Sequence, residues 1–259
     1  MILNYLIIQK NNFFLKKKNT IVLLHGLFGN KKSLYTMGKF LFKNLKYNII
    51  LLDIRNHGSS PSHKKMNYLS LSKDVLETLN FLNIKKNIIF IGHSMGGKIA
   101  MNISQFISFD NIKIIIILDI APVKYKFYNK NIFFALEQVY KKKIEKRKDV
   151  FYLIKSLIKN QYIINMLLKT FIDGKWEFNF PILKNEYKKI LDWKLIPKWK
   201  GKIFFLKGEQ STYISKIYYK DIFFQFPNAK IYNIPNTGHL LHIENTKLVF
   251  NLIQKLCYK

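Results

Sequence analysis

A single pentapeptide constrains this chain more than any other feature: Gly92-His93-Ser94-Met95-Gly96. It follows the apolar run Asn87–Ile91 and opens a segment of helical spacing over Met95–Ile107. A serine inside G-x-S-x-G between a strand and a helix predicts a nucleophile elbow. The turn must be sharp, because it has to lift the hydroxyl above the sheet edge. Bulky side chains at positions 92 and 96 would collide with neighbouring backbone, which explains the glycines. The helix that follows aims its free N–H groups and its positive end at the site.

The surrounding pattern agrees. Short apolar segments at Thr20–Leu24, Asn48–Leu52, Asn87–Ile91 and Ile112–Leu118 alternate with helical spacing at Ser33–Leu45, Tyr68–Leu82 and Met95–Ile107. Ser70 or Ser72 is the candidate cap of the second helix. Strands that are apolar throughout belong to a parallel sheet covered on both faces. The pattern resumes with strands at Lys202–Leu206 and Lys230–Ile234 and helices at Ile217–Gln225 and Thr246–Tyr258. Residues 2–17 read as a hairpin turning at Lys10-Asn11-Asn12. Between the two halves, helical patterns at Asn131–Tyr140, Val150–Lys159 and Tyr162–Lys169 precede an Asp173-Gly174 turn. The expected architecture is an α/β-hydrolase fold: a mostly parallel central sheet with helices on both faces and an inserted, mainly helical lid. Its parts are a core over 1–122, a lid over 123–199, and the second core part over 200–259.

A serine hydroxyl needs a base. The chain has six histidines. His25 stands in His25-Gly26-Leu27-Phe28-Gly29, where it shapes the loop expected to stabilise an oxyanion. His57 and His63 lie in other loops. His93 sits in the elbow and is expected to point away from the nucleophile. His239 follows the last strand, in a loop at the carboxyl ends of the strands, where open α/β sheets bind ligands. It is the candidate base, and His242 the candidate packing neighbour. Two carboxylates compete to orient it. Asp119 ends the apolar run Ile114–Leu118, where an unpartnered charge is costly. Glu209 is the only carboxylate of the loop Gly208-Glu209-Gln210-Ser211, in which Ser211 stands where an aspartate is often found. Asp119 is preferred, giving the chain order Ser, Asp, His. The oxyanion donors expected are the backbone amides of Met95 and Leu27. Phe28 and His25 are the candidate substrate-binding side chains.

Lys and Arg total 44 against 15 Asp and Glu, a net charge of +29. That charge suggests nucleic acid or a membrane surface as partner. Arginine, however, occurs only at Arg55 and Arg147, and the lysines run from end to end in a chain rich in Asn, Ile, Phe and Tyr. Phosphate-reading surfaces favour arginine's fork, so the excess reads as codon bias and no specific nucleic-acid partner is expected. No run reaches membrane-spanning length. Neither a signal segment nor a pair of cysteines is visible, since Cys257 is alone. The expected setting is cytoplasmic.

Taken together, His25-Gly26-Leu27-Phe28-Gly29-Asn30, Asp53-Ile54-Arg55-Asn56-His57-Gly58, Gly92-His93-Ser94-Met95-Gly96-Gly97-Lys98, Leu118-Asp119-Ile120-Ala121-Pro122-Val123, Phe171-Ile172-Asp173-Gly174-Lys175-Trp176-Glu177-Phe178-Asn179 and Gly238-His239 resemble the YbfF-type bacterial esterases. The resemblance covers nearly the whole chain. It implies hydrolysis of short acyl esters, with acyl-CoA thioesters as an option, no metal or organic cofactor, and Asp119 as the triad acid. The loop Lys207-Gly208-Glu209-Gln210 departs from the pattern by being more charged and less glycine-rich. Two alternatives stand beside this: a carbon–carbon hydrolase or lyase of the same fold, as in menaquinone-pathway enzymes, and a non-catalytic basic binding protein. The physiological acyl group and the oligomeric state are left open by the sequence.

Overall fold

The computed structural model describes residues 1–9, 19–126 and 130–258. The turn expected at Lys10-Asn11-Asn12 and the second strand of that hairpin lie outside them. In chain order the elements are β1 (Tyr5–Ile8), β2 (Thr20–Leu24), α1 (Tyr35–Leu45), β3 (Asn48–Leu52), α2 (Tyr68–Phe81), β4 (Ile88–His93), α3 (Met95–Ile103), β5 (Ile112–Leu118), α4 (Lys130–Lys141), α5 (Arg147–Leu157), α6 (Gln161–Lys169), β6 (Phe171–Ile172), β7 (Lys175–Trp176), α7 (Phe180–Asn185), α8 (Tyr187–Leu191), β8 (Ile203–Gly208), α9 (Tyr219–Gln225), β9 (Lys230–Ile234), α10 (Leu241–Glu244) and α11 (Thr246–Cys257).

Seven of the described strands form one sheet in the order β1-β3-β2-β4-β5-β8-β9. Only β1 runs antiparallel, against β3 at the edge. The other pairings are parallel. The strands look uniformly apolar because alternate residues serve two separate cores. Val22, Leu24, Ile50, Leu52, Phe90, Ile115, Ile117 and Phe205 pack on the face covered by α2, α3 and α9. Ile21, Leu23, Ile49, Leu51, Ile91, Ile116 and Leu206 pack on the opposite face, against α1 and α11. Burying both faces leaves no side chain to spend on polarity, which is why the period of two is hidden in the sequence.

Helix starts follow asparagine more than serine. Asn67, not Ser70 or Ser72, caps α2, its side chain accepting from the Ser70 amide at 2.9 Å. Asn160, Asn179 and Asn245 do the same for α6, α7 and α11. The residue has both the short acceptor and the tolerance of extended backbone that the position needs.

The segment from α4 to α8 leaves after β5 and returns before β8, which lies beside β5 in the sheet. It therefore adds no strand to the sheet. Asp173 and Gly174 take positive φ, 49° and 73°, at the turn between β6 and β7, as a tight two-residue hairpin loop requires. The buried Gln225 ties the segment's two ends together. Its side-chain N–H reaches the Pro122 carbonyl at 3.2 Å, and its oxygen accepts the Trp193 indole N–H at 3.0 Å.

Candidate active site

Ser94 sits between β4 and α3 with φ 51° and ψ −116°. A side chain in that region is strained by about 1–3 kcal/mol, so the neighbours must enforce it. They do so by contact. A Cβ on Gly92 would lie 2.2 Å from the Gly96 carbonyl oxygen, and one on Gly96 would lie 2.2 Å from that of Leu24. The turn is this tight only because both positions lack side chains. The Met95 N–H is the first amide of α3 and belongs to the set a helix cannot satisfy internally.

Asp119 follows β5, fully buried and also at positive φ (54°). Its carboxylate is filled. Oδ1 accepts the Gly208 amide at 3.0 Å, and Oδ2 accepts His239 Nδ1 at 2.8 Å and the Ser211 hydroxyl. In the neutral tautomer that donates from Nδ1 to the carboxylate, the free lone pair lies on Nε2. Glu209 is elsewhere: it is exposed, and its oxygen accepts the Asn236 amide at 2.9 Å. Ser211, at the position where an aspartate had seemed missing, instead donates to Asp119.

His239 is held from four sides. The Glu244 carboxylate accepts the amides of Gly238 at 2.6 Å and Leu240 at 3.1 Å, bracketing the histidine. The Tyr213 ring stacks on the imidazole with centroids 3.9 Å apart. His93 bonds through Nε2 to the His239 carbonyl at 2.9 Å. The fourth hold is Asp119. His93 also borders the cavity beside Ser94, and its ring braces the backbone of His239. The bond had no sequence signal, because it joins residues 146 apart. Glu244 could have been suspected from its position one turn after His239.

The loop carrying Leu27 is pinned by two buried histidines. His57 Nε2 accepts the Phe28 amide at 3.3 Å while Nδ1 donates to the Arg55 carbonyl. His25 Nε2 accepts the Ile54 amide at 3.0 Å while Nδ1 donates to the Gly26 carbonyl. Burial keeps both neutral, holding His57 down at about 3 and lowering His25. His25, expected beside the substrate, is placed in the scaffold beneath the Leu27 loop. Both of its ring nitrogens are used within the loop scaffold, and it lines neither cavity beside Ser94.

Two small cavities flank Ser94. One, of about 40 Å³, is lined by Leu27, Met95, Lys98, Tyr187, Ile190 and Tyr213 among others. The other, of about 50 Å³, is lined by Phe28, Ile132, Ile163, Met166, His239 and Leu240. Ser94 and Leu27 border both. Lys98 is buried one turn into α3. Its ammonium donates to the carbonyls of Leu191 and Asp192, each at 3.0 Å, and lies over the rings of Tyr68, Tyr125 and Trp193. Burial pushes it down to about 7.

Known proteins share this fold. Residues 19–152 match the family model described as alpha/beta hydrolase fold. The chain is 37% identical to esterase YbfF of Escherichia coli, over 91% of each chain. It is 31% identical to an sn-1-specific diacylglycerol lipase of Xenopus laevis, over 90% of this chain and 78% of that one. Among solved structures, a marine microorganism esterase superposes with a TM-score of 0.88 at 28% identity, covering 98% of this chain and 99% of that one. A doubly covered parallel sheet, a serine on a strained elbow and these likenesses converge: the chain belongs to the α/β-hydrolase family, among the YbfF-type esterases.

Proposed function

We propose that this protein is a carboxylic ester hydrolase that works through an acyl-enzyme on Ser94. In this reading His239 Nε2 takes the proton of the Ser94 hydroxyl as the oxygen attacks the acyl carbon. The amides of Leu27 and Met95 receive the oxyanion, His239 returns the proton to the leaving group, and water repeats the cycle. Asp119 fixes the imidazole tautomer and stabilises its positive charge. The observation that carries the reading is the 2.8 Å contact between His239 Nδ1 and a fully buried Asp119, with Ser94 and His239 lining one cavity. Phe28, in the wall of that cavity, contacts the substrate. Residues 123–199 act as the lid. Acyl-CoA thioesters fall within the same chemistry. A cytoplasmic setting suits a chain whose one cysteine, Cys257, is buried.

The deciding experiment is hydrolysis of nitrophenyl acetate by wild type and Ser94→Ala, with a fluorophosphonate to tag the serine. The variant should lose several orders of magnitude in kcat and take no tag. Wild-type turnover by a pure Ser94→Ala protein would end the proposal. A carbon–carbon hydrolase would use the same three residues, and a panel of esters against β-diketones separates the two.

A further inference from the structure

The two cavities beside Ser94 differ in a way that the reaction itself can read. Resting on the acyl-enzyme reading above, we infer that the cavity walled by Lys98 and Ile190 receives the acyl chain and the cavity walled by Met166 and His239 receives the leaving group, so that short acyl groups on large leaving groups are preferred.

The argument starts from the proton. Acylation forms the bond from Ser94 Oγ to the acyl carbon and breaks the bond to the leaving oxygen or sulfur. The proton taken from Oγ by His239 Nε2 goes to that leaving atom. The leaving atom must therefore lie within hydrogen-bond reach of the imidazole. His239 lines the 50 Å³ cavity and not the 40 Å³ one. On the other side the imidazole is covered by the Tyr213 ring, stacked at 3.9 Å, and Tyr213 itself walls the 40 Å³ cavity. Met95, whose amide receives the oxyanion together with that of Leu27, borders that cavity and not the other. The acyl chain, opposite the leaving group across the carbonyl carbon, points into it.

The two cavities then end differently. A water-sized group takes about 10–15 Å³ of such space. The 40 Å³ cavity thus holds roughly three, an acyl tail of about two or three carbons beyond the carbonyl. Its wall does not yield easily. Lys98 is held by two carbonyls at the end of α8, and the Tyr68 hydroxyl donates to the neighbouring Ile190 carbonyl at 2.6 Å. On the other side a groove of about 670 Å³ shares a lining residue with the 50 Å³ cavity, the flexible Met166. That groove, bordered by Thr36, Tyr162 and Asn165, has room for a large alcohol or thiol.

The test uses two series of esters, nitrophenyl esters of increasing acyl length and acetates of increasingly large alcohols. Wild type, Ile190→Ala, the milder Ile190→Val and Met166→Ala are compared by kcat/KM. Wild type should fall at least about tenfold beyond butyryl while tolerating large alcohols. Both Ile190 variants should move the acyl optimum to longer chains, by about two carbons for Ala, and leave the alcohol series unchanged. Met166→Ala should change the alcohol series several-fold and leave the acyl optimum in place. The opposite assignment of effects, with hydrolysis still dependent on Ser94, would overturn the cavity assignment alone. Equal turnover by Ser94→Ala would instead remove the nucleophile and this inference with it.

Discussion

Replacing Asp119 by asparagine removes one charge and almost no volume, yet no orientation of the new amide keeps every group paired and also preserves the tautomer of His239. The carboxylate accepts three hydrogen bonds, from the Gly208 amide, His239 Nδ1 and the Ser211 hydroxyl. If the amide NH2 occupies the Oδ1 position, it faces the Gly208 N–H, donor against donor. If it occupies the Oδ2 position, Ser211 can turn and accept, but His239 must switch tautomer and accept at Nδ1. The second arrangement keeps every group paired and is the cheaper one. It also puts a proton on Nε2, where the imidazole needs to be bare. A wrong tautomer of this kind costs about 10⁴ in kcat in a serine protease, which is about 5.4 kcal/mol of barrier at 1.36 kcal/mol per tenfold. Stability should fall by only about 1 kcal/mol, the difference between charged and neutral hydrogen bonds. The assay is kcat/KM on nitrophenyl acetate, with a thermal melt as the control for folding. Glu209→Gln, changed in the same way on an exposed side chain, should stay within about threefold of wild type. A folded Asp119→Asn protein losing less than about a hundredfold, or a larger loss from Glu209→Gln, would refute the tautomer argument.

Three other changes test the scaffold around the triad. Glu244→Gln weakens the clamp on the amides flanking His239; kcat should drop about 10–100-fold with KM little changed, because small misplacements of a base are expensive. Gly96→Ala places a Cβ 2.2 Å from the Leu24 carbonyl oxygen, and should cost about 3 kcal/mol, read as a melting temperature lower by roughly 6–12 °C. The pH dependence of stability follows from His57 and His242, each held by burial at about 3. The unfolded chain takes up these protons below pH 6.5 and the folded chain does not, so stability is complete above 6.5 and is lost progressively towards pH 3. At pH 5 each contributes about 2 kcal/mol of the loss. His242→Phe should therefore flatten the melting temperature between pH 7.5 and 5, and an unchanged slope would exclude His242 as a source.

How much of the site could be read in advance depended on how local its cause was. Ser94 was legible because its geometry is written within five residues: two glycines that admit a sharp turn, after an apolar strand and before a helix. The Asp173-Gly174 hairpin was legible for the same reason. His239 needed one step more, the rule that ligands meet the carboxyl ends of parallel strands. Failures came where a short-range rule met a competing residue. Asn67 took the cap from Ser70 and Ser72 because it stands at the one position with extended backbone. Nothing in the sequence showed that the His239 carbonyl would hold the His93 ring. Nor did it show that Ile54 and Gly26 would occupy both nitrogens of His25.

The alternation of apolar strands and helices, with G-x-S-x-G at the hinge, was enough to determine the sheet, its two covered faces and the serine at its edge. Those properties follow from steric and hydrophobic rules that act over a few residues. The partner of the imidazole was another matter. Asp119 and Glu209 are both acidic, both near strand ends and both in acceptable chain order, and only the packing of β5 beside β8 placed one against His239 and the other in solvent. The same holds for Glu244, for Tyr213 on the imidazole and for the shapes of the two cavities. Each depends on contacts between segments far apart in the chain, and a chain read one residue at a time carries no record of distance in space.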